Sequence, residues 1–70
     1  MEVEQIRIRE LREDNDLKQS DVAKILNKSQ QGYSHIENGY ADLSIKDLKE
    51  LCKFYNVSSD YILGFTDKLR

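Results

Sequence analysis

The sequence predicts an all-α chain of five short helices, and three observations carry that expectation. Proline is absent, and the three glycines fall at positions 32, 39 and 64, where they can punctuate helices. No apolar–polar alternation of period two runs far enough to make a strand. Apolar residues recur instead at helical spacing, with Ser, Asn, Asp or Gly at the ends of the periodic stretches. The length of 70 residues holds one domain at most.

The first helix is expected over Glu4 to Asn15. Ile8 and Leu11 share one face, Val3 and Ile6 lie near its edge, and Asp14, Asn15 and Asp16 end it because their side chains compete for the backbone. The second runs from Gln19 to Leu26. Lys18 stands in the cap position and is a poor cap, while Val22, Ala23 and Leu26, with Ile25 beside them, mark a buried stripe. Asn27 suits a left-handed stop. Ser29 caps the third helix, which reaches about Asn38, has Tyr33 and Ile36 inward, and stops at Gly39. Ser44 opens the fourth, with Asp47 three residues on as a short form of capping box. Leu48, Leu51, Cys52 and Tyr55 repeat along it, and Ile45 extends the stripe. Ser58 caps a final short helix, Ser59 to Leu63, backed by Gly64.

Composition removes several classes of function. One cysteine, Cys52, allows no disulfide within the chain and points to a reduced, cytosolic setting. With a single histidine, His35, it cannot form a structural zinc site. No apolar run approaches the roughly 18–20 residues of a membrane span, and the charged N-terminus does not read as a signal peptide. The chain carries 11 basic and 13 acidic side chains, net −2. That balance opposes phosphate binding, and it is concentrated in the first 43 residues, which hold six basic and nine acidic groups. The Arg7, Arg9, Arg12 run is diluted by Glu10, Glu13 and Asp14, and a phosphate contact by Arg7 or Arg9 stays open.

The segment Gln19 to Tyr40 decides the reading. Two short helices are joined by about three residues, Asn27 to Ser29, and small Ala23 sits midway along the first. This lets the helices cross steeply in close contact, as a helix-turn-helix requires. The outer face of the third helix offers Gln30, Gln31, Ser34, His35 and Asn38, which carry no formal charge and both donate and accept hydrogen bonds. Gln and Asn can satisfy an adenine edge with both groups at once. Solvated surface is the competing reading of the same face. His35 has no Cys, Asp or Glu partner at ligand spacing on its face, and Cys52 reads as a small apolar residue of the fourth helix. Tyr55, Tyr61 and Phe65 read as core or interface aromatics.

Gln19-x3-Ala23-x3-Asn27-x5-Tyr33-x2-Ile36, followed by Glu37-Asn38-Gly39, resembles the Cro/cI-type (phage-repressor, XRE-like) helix-turn-helix transcriptional regulators. Their pattern is Gln, Ala, Gly, a β-branched apolar residue, Ile or Leu, then Glu-Asn-Gly. Ser44-x3-Leu48-x2-Leu51-Cys52 and the stretch Tyr55 to Gly64 are similar to the family's last two helices. The resemblance implies a lambda-repressor-like DNA-binding domain with the helix-turn-helix at about 19–38 and helices 4 and 5 at about 44–64 supplying core and dimer interface. It implies base reading by Gln30, Gln31, Ser34 and His35; lambdoid phage repressors also use glutamines there. It implies phosphate contacts by Gln19, by Asn38 and by the backbone amides near Tyr40. It implies a structural ion pair between Arg12 and Glu37. The chain departs from the pattern at several positions. Asn27 replaces the turn glycine and Lys28 replaces a buried Val, its stem covering core while its amine reaches solvent or phosphate. Gly32 lies within the recognition helix, Tyr33 is larger than usual, and Leu43 replaces a common proline.

The expected function is sequence-specific binding of double-stranded DNA, on an inverted-repeat operator, by a homodimeric cytoplasmic regulator of a bacterial or phage-infected cell. Tyr61, Ile62, Phe65 and Leu69 would form the dimer interface. No cofactor, metal, small-molecule ligand or membrane is called for. No nucleophile–base pair, carboxylate pair or phosphate loop suggests an enzyme. The alternative is the same fold used as a protein-interaction module, an antirepressor, antitoxin-like partner or adaptor, which the acidic balance favours.

Overall fold

A computed structural model describes residues 2–70 as five α-helices: α1 (Val3–Asp14), α2 (Gln19–Ile25), α3 (Gln30–Glu37), α4 (Ile45–Tyr55) and α5 (Ser59–Leu63). No strand occurs among the described residues. Every helix contributes to one core of Ile8, Leu11, Val22, Ala23, Leu26, Tyr33, Ile36, Leu51 and Ile62. Helix α1 runs through the middle of the packing, against both α3 and α5, while α2 lies on α3 and α4 on α5.

Local chemistry at each end explains the boundaries. At the start of α1 the Gln5 side chain turns back, and its Oε1 accepts from the Glu2 backbone N–H at 2.7 Å. That is the reciprocal half of a capping box, and it starts the helix one residue earlier than expected. The poor cap at Lys18 is remedied in the same way, since Asp21 Oδ2 accepts from the Lys18 N–H at 2.8 Å. The hydroxyls of Ser29, Ser44 and Ser58 accept from the N–H groups of Gly32, Asp47 and Tyr61 at 3.0, 3.1 and 3.0 Å. A Cβ on Gly32 would lie 3.1 Å from the Ser29 hydroxyl, so this glycine leaves room for the cap itself.

The stops use left-handed backbone. Asp16, Asn27 and Asn56 each adopt φ +56°, a conformation that Asn and Asp tolerate better than other side chains. Gly64 closes α5 at φ +85°, and a Cβ there would lie 2.6 Å from Val3 Cγ1. The end of α5 therefore rests directly on the start of α1. Arg7 reinforces this contact. Its guanidinium lies 4.2 Å from the Tyr61 ring centroid, donates to the carbonyls of Tyr61 and Thr66, and pairs with Asp67 at 3.0 Å. The tail folds back as well, with the Ser58 N–H donating to the Leu69 carbonyl at 2.8 Å.

Two apolar expectations change, those for Ile45 and Ile62. Ile45 is 71 % exposed instead of extending the buried stripe. It begins α4, where the stripe points past the core, and with Leu48, Cys52 and Leu63 it lines a groove of about 500 Å³ flanked by Lys49 and Lys53. Val3 and Ile6 lie at the edge of the α1 face, where the sequence placed them, each 44 % exposed. Ile62 is fully buried in its own core and cannot also face a second subunit. Phe65 and Leu69 remain exposed.

Replacing Gly64 by Ala forces a side chain into left-handed backbone, which costs roughly 1–2 kcal/mol, and adds a methyl group against Val3. Urea unfolding should show a loss of at least about that size. An unchanged midpoint would show that the α1–α5 seam does not constrain this turn.

Candidate nucleic-acid interface

Glu37 organises the polar side of the helix-turn-helix. It ends α3 with its side chain inside, at 0 % exposure. Isolated carboxylates are not stable in such a place. Arg12, from α1, meets it with two hydrogen bonds, Nε to Oε2 and Nη2 to Oε1, both 2.9 Å. The same guanidinium donates from Nη1 to the Leu17 carbonyl at 3.0 Å, which fixes the turn between α1 and α2. Gln19, the first residue of α2, donates from Nε2 to Glu37 Oε1 at 3.3 Å. Arg9 approaches the same oxygen, Nε to Oε1, at 3.5 Å. One carboxylate thus joins α1, α2 and α3.

Burial alone pushes the Glu37 carboxyl up. Arg12 through its two hydrogen bonds, the nearby Tyr33 hydroxyl, and Gln19 through its own bond together outweigh it and hold the carboxyl below its ordinary range. Tyr33 is fully buried, and its hydroxyl approaches Glu37 without closing a hydrogen bond of standard geometry. Burial, helped by that carboxylate, raises its phenol well above the ordinary value. The Tyr55 hydroxyl is also enclosed without a partner, and burial pushes its phenol up to about 12.

A second polar chain leads from this hub to the surface. Arg9 Nη2 donates to Asn38 Oδ1 at 3.0 Å, and Asn38 Nδ2 donates to Ser34 Oγ at 3.1 Å. Gln30, Gln31, His35 and Asn38 are exposed and Ser34 is half-buried. Positions 30, 31, 34, 35 and 38 fall on one side of a helix by its periodicity. The side chains of Gln30, Gln31 and His35 make no hydrogen bond among the described residues, so their donors and acceptors face solvent. The His35 ring stands edge-on to Tyr40, with centroids 6.0 Å apart. Helix α3 spans eight residues, about 12 Å long, and slim enough for a major groove about 12 Å wide.

The expected phosphate contacts are less uniform. Gln19 has its amide turned inward onto Glu37. Lys28 Nζ lies 3.2 Å from the buried Asp47 carboxylate, so its amine is engaged with α4 where the sequence left it free. Asp47 was read only as a cap residue; its side chain holds Lys28. The backbone N–H groups of Tyr40 and Ala41 both donate to the His35 carbonyl, at 2.8 and 3.1 Å, closing the end of α3. They are not free for an anion, and what Tyr40 presents outward is its ring and hydroxyl, at 82 % exposure. Sequence reasoning left Arg9 open as a phosphate contact and missed its contacts with Glu37 and Asn38. The signal was its i, i+3 spacing from Arg12, which puts both on one side of α1.

The family model described as helix-turn-helix matches residues 8–62, from within α1 to within α5. The chain therefore belongs to the XRE/Cro/cI-type helix-turn-helix family of DNA-binding regulators. No curated protein and no solved structure matches it significantly.

Breaking the Arg12–Glu37 pair should be costly. Glu37→Gln leaves Arg12 half-compensated in the interior and is expected to cost roughly 3–5 kcal/mol by chemical denaturation; a loss below about 1 kcal/mol would contradict the buried hub. The pH dependence has a defined sign. The folded carboxyl lies below its unfolded value of about 4.3, so its stabilisation is complete above that pH and is lost as pH falls through the folded value. Acid titration of wild type should show this loss, and Glu37→Gln should lack this group's share of it.

Proposed function

We propose that the chain is a dimeric transcriptional regulator, a repressor or Cro-like protein, that reads an inverted-repeat operator in double-stranded DNA through α3. The carrying observation is the row Gln30, Gln31, Ser34 and His35. It is an uncharged hydrogen-bonding surface on a helix whose far end is anchored by a buried ion pair. Such a face suits base edges, and rigid anchoring limits the ordering cost of binding.

In this reading Gln30 and Gln31 read the first base pairs, and Ser34 and His35 the next. Asn38 and the Tyr40 hydroxyl meet phosphate beyond the helix, and Gln19 meets it at the start of α2 through the second Nε2 hydrogen, which Glu37 leaves unused. Lys28 would have to leave Asp47 to reach phosphate, so it stands at the margin of the footprint. The longest dimension of the molecule is 29 Å, short of the roughly 34–36 Å between half-sites one turn apart. A symmetric pair covers both. Phe65, Leu69 and the groove between α4 and α5 supply the apolar surface for pairing, in place of Ile62.

The acidic balance of the first 43 residues favours a second reading, a protein-interaction module built on the same fold. Salt separates the two, because DNA binding weakens steeply between low and moderate salt and an apolar protein contact does not.

Selection from a random duplex pool at low and then moderate salt tests the proposal. A short enriched inverted repeat supports it. A folded protein that enriches nothing at either salt contradicts it. On the selected site, Gln30→Ala should cost about 1–3 kcal/mol and relax preference at one base pair, while Asn38→Ala should weaken binding to every duplex alike.

A further inference from the structure

We infer that Arg9, from α1, belongs to the DNA interface: together with Asn38 it contacts the phosphate at the C-terminal end of α3. The inference rests on the DNA-binding reading above and adds to it a residue that lies outside the helix-turn-helix.

The first support is electrostatic. A chain of net −2 needs at least one cation at the phosphate surface, since phosphate neutralisation supplies much of the affinity. Three of the six cations of the first 43 residues are committed elsewhere. Arg7 is held by Asp67 and the Tyr61 ring, Arg12 by Glu37 and the Leu17 carbonyl, and Lys28 by Asp47. Lys18 and Lys24 make no side-chain bond to α3 among the described residues. Arg9 does make one, to Asn38 on the candidate face.

The second support is geometric. Glu37 carries one negative charge and faces two guanidiniums. Arg12 takes it through two bonds of 2.9 Å. Arg9 stands farther off, at 3.5 Å, with its side chain 38 % exposed. The trio therefore carries a net charge of +1, and its surplus lies with the more exposed guanidinium. Asn38 is gripped at both ends, Oδ1 by Arg9 and Nδ2 by Ser34. Its second Nδ2 hydrogen stays free beside the unused donors of Arg9, which has five N–H groups in a fixed fork. Guanidinium and amide N–H side by side form a donor pair matched to phosphate oxygens. Both side chains are already ordered, so little rotamer freedom is lost on contact.

The test is the salt dependence of binding. Binding of wild type and of Arg9→Gln to one duplex is titrated across a range of salt, with Gln30→Ala as comparison. The logarithmic slope for Arg9→Gln should fall in magnitude by about 0.9, the share of one phosphate contact, with site preference unchanged. Gln30→Ala should keep the wild-type slope and change the preference. An Arg9→Gln protein that is weaker but retains the wild-type slope would make Arg9 a purely structural residue and overturn the inference. Wild type that binds no duplex at any salt would overturn the DNA-binding reading itself, and the first titration shows this separately. A measurement on wild type covers the case in which Arg9→Gln does not fold. Modification by an arginine-selective dicarbonyl, read by peptide mass, should be slowed at Arg9 and not at Arg70 when duplex is added. Equal Arg9 rates with and without bound duplex would overturn the inference.

Discussion

A carboxylate with no contact to water must find its compensation inside the fold, and Glu37 finds it on three helices at once. Arg12 brings α1 to it, Gln19 brings α2, and Glu37 itself ends α3. The apolar core could hold these helices together in several nearby arrangements, since hydrophobic packing is not directional. The bidentate pair admits far fewer. Small Ala23 permits the close approach of α2 and α3, and the ion pair fixes α3 against α1. The pose of the face carrying Gln30 and Gln31 is thus set by a group facing the opposite way.

The helix ends show a second constraint. Helices of five to twelve residues have most of their backbone groups within a turn of an end, so caps matter more here than intrinsic propensity. Serines cap α3, α4 and α5, and Gln5 and Asp21 serve where no serine is present. The same need limits the site. The amides of Tyr40 and Ala41 go to closing α3, which removes them as anion donors. In the proposed reading, phosphate is then left to side chains, and the contribution inferred for α1 gains in weight accordingly.

Much of the fold was legible in the residues. Ser29, Ser44, Ser58, Gly39 and Gly64 mark helix ends by mechanisms that act within a few residues, and the inward positions of Ile8, Val22, Tyr33 and Leu51 follow from period alone. The exposed row on α3 could also be read, because a helix face is a local property. What could not be read depends on neighbours remote in sequence. Lys28 looked free until α4 brought Asp47 beside it, and Ile62 looked available to a partner until α1 closed over it. Gln5 carries no signal in the pattern, yet it caps its own helix and is buried. Arg9 lay in a stretch whose charges nearly cancel along the chain, and only the fold separates it from the glutamates around it.

The acidic total and the DNA-facing reading are compatible because charge acts locally at a contact surface. The central claim is that the α3 face, held from behind by Glu37, is what touches the duplex. The most direct measurement is a titration of isotope-labelled protein with duplex DNA, following the side-chain amide resonances of Gln30, Gln31 and Asn38. The account predicts that these amides shift as the duplex binds. Amides that stay in place while the duplex is demonstrably bound would contradict it and move the interface to another face of the molecule.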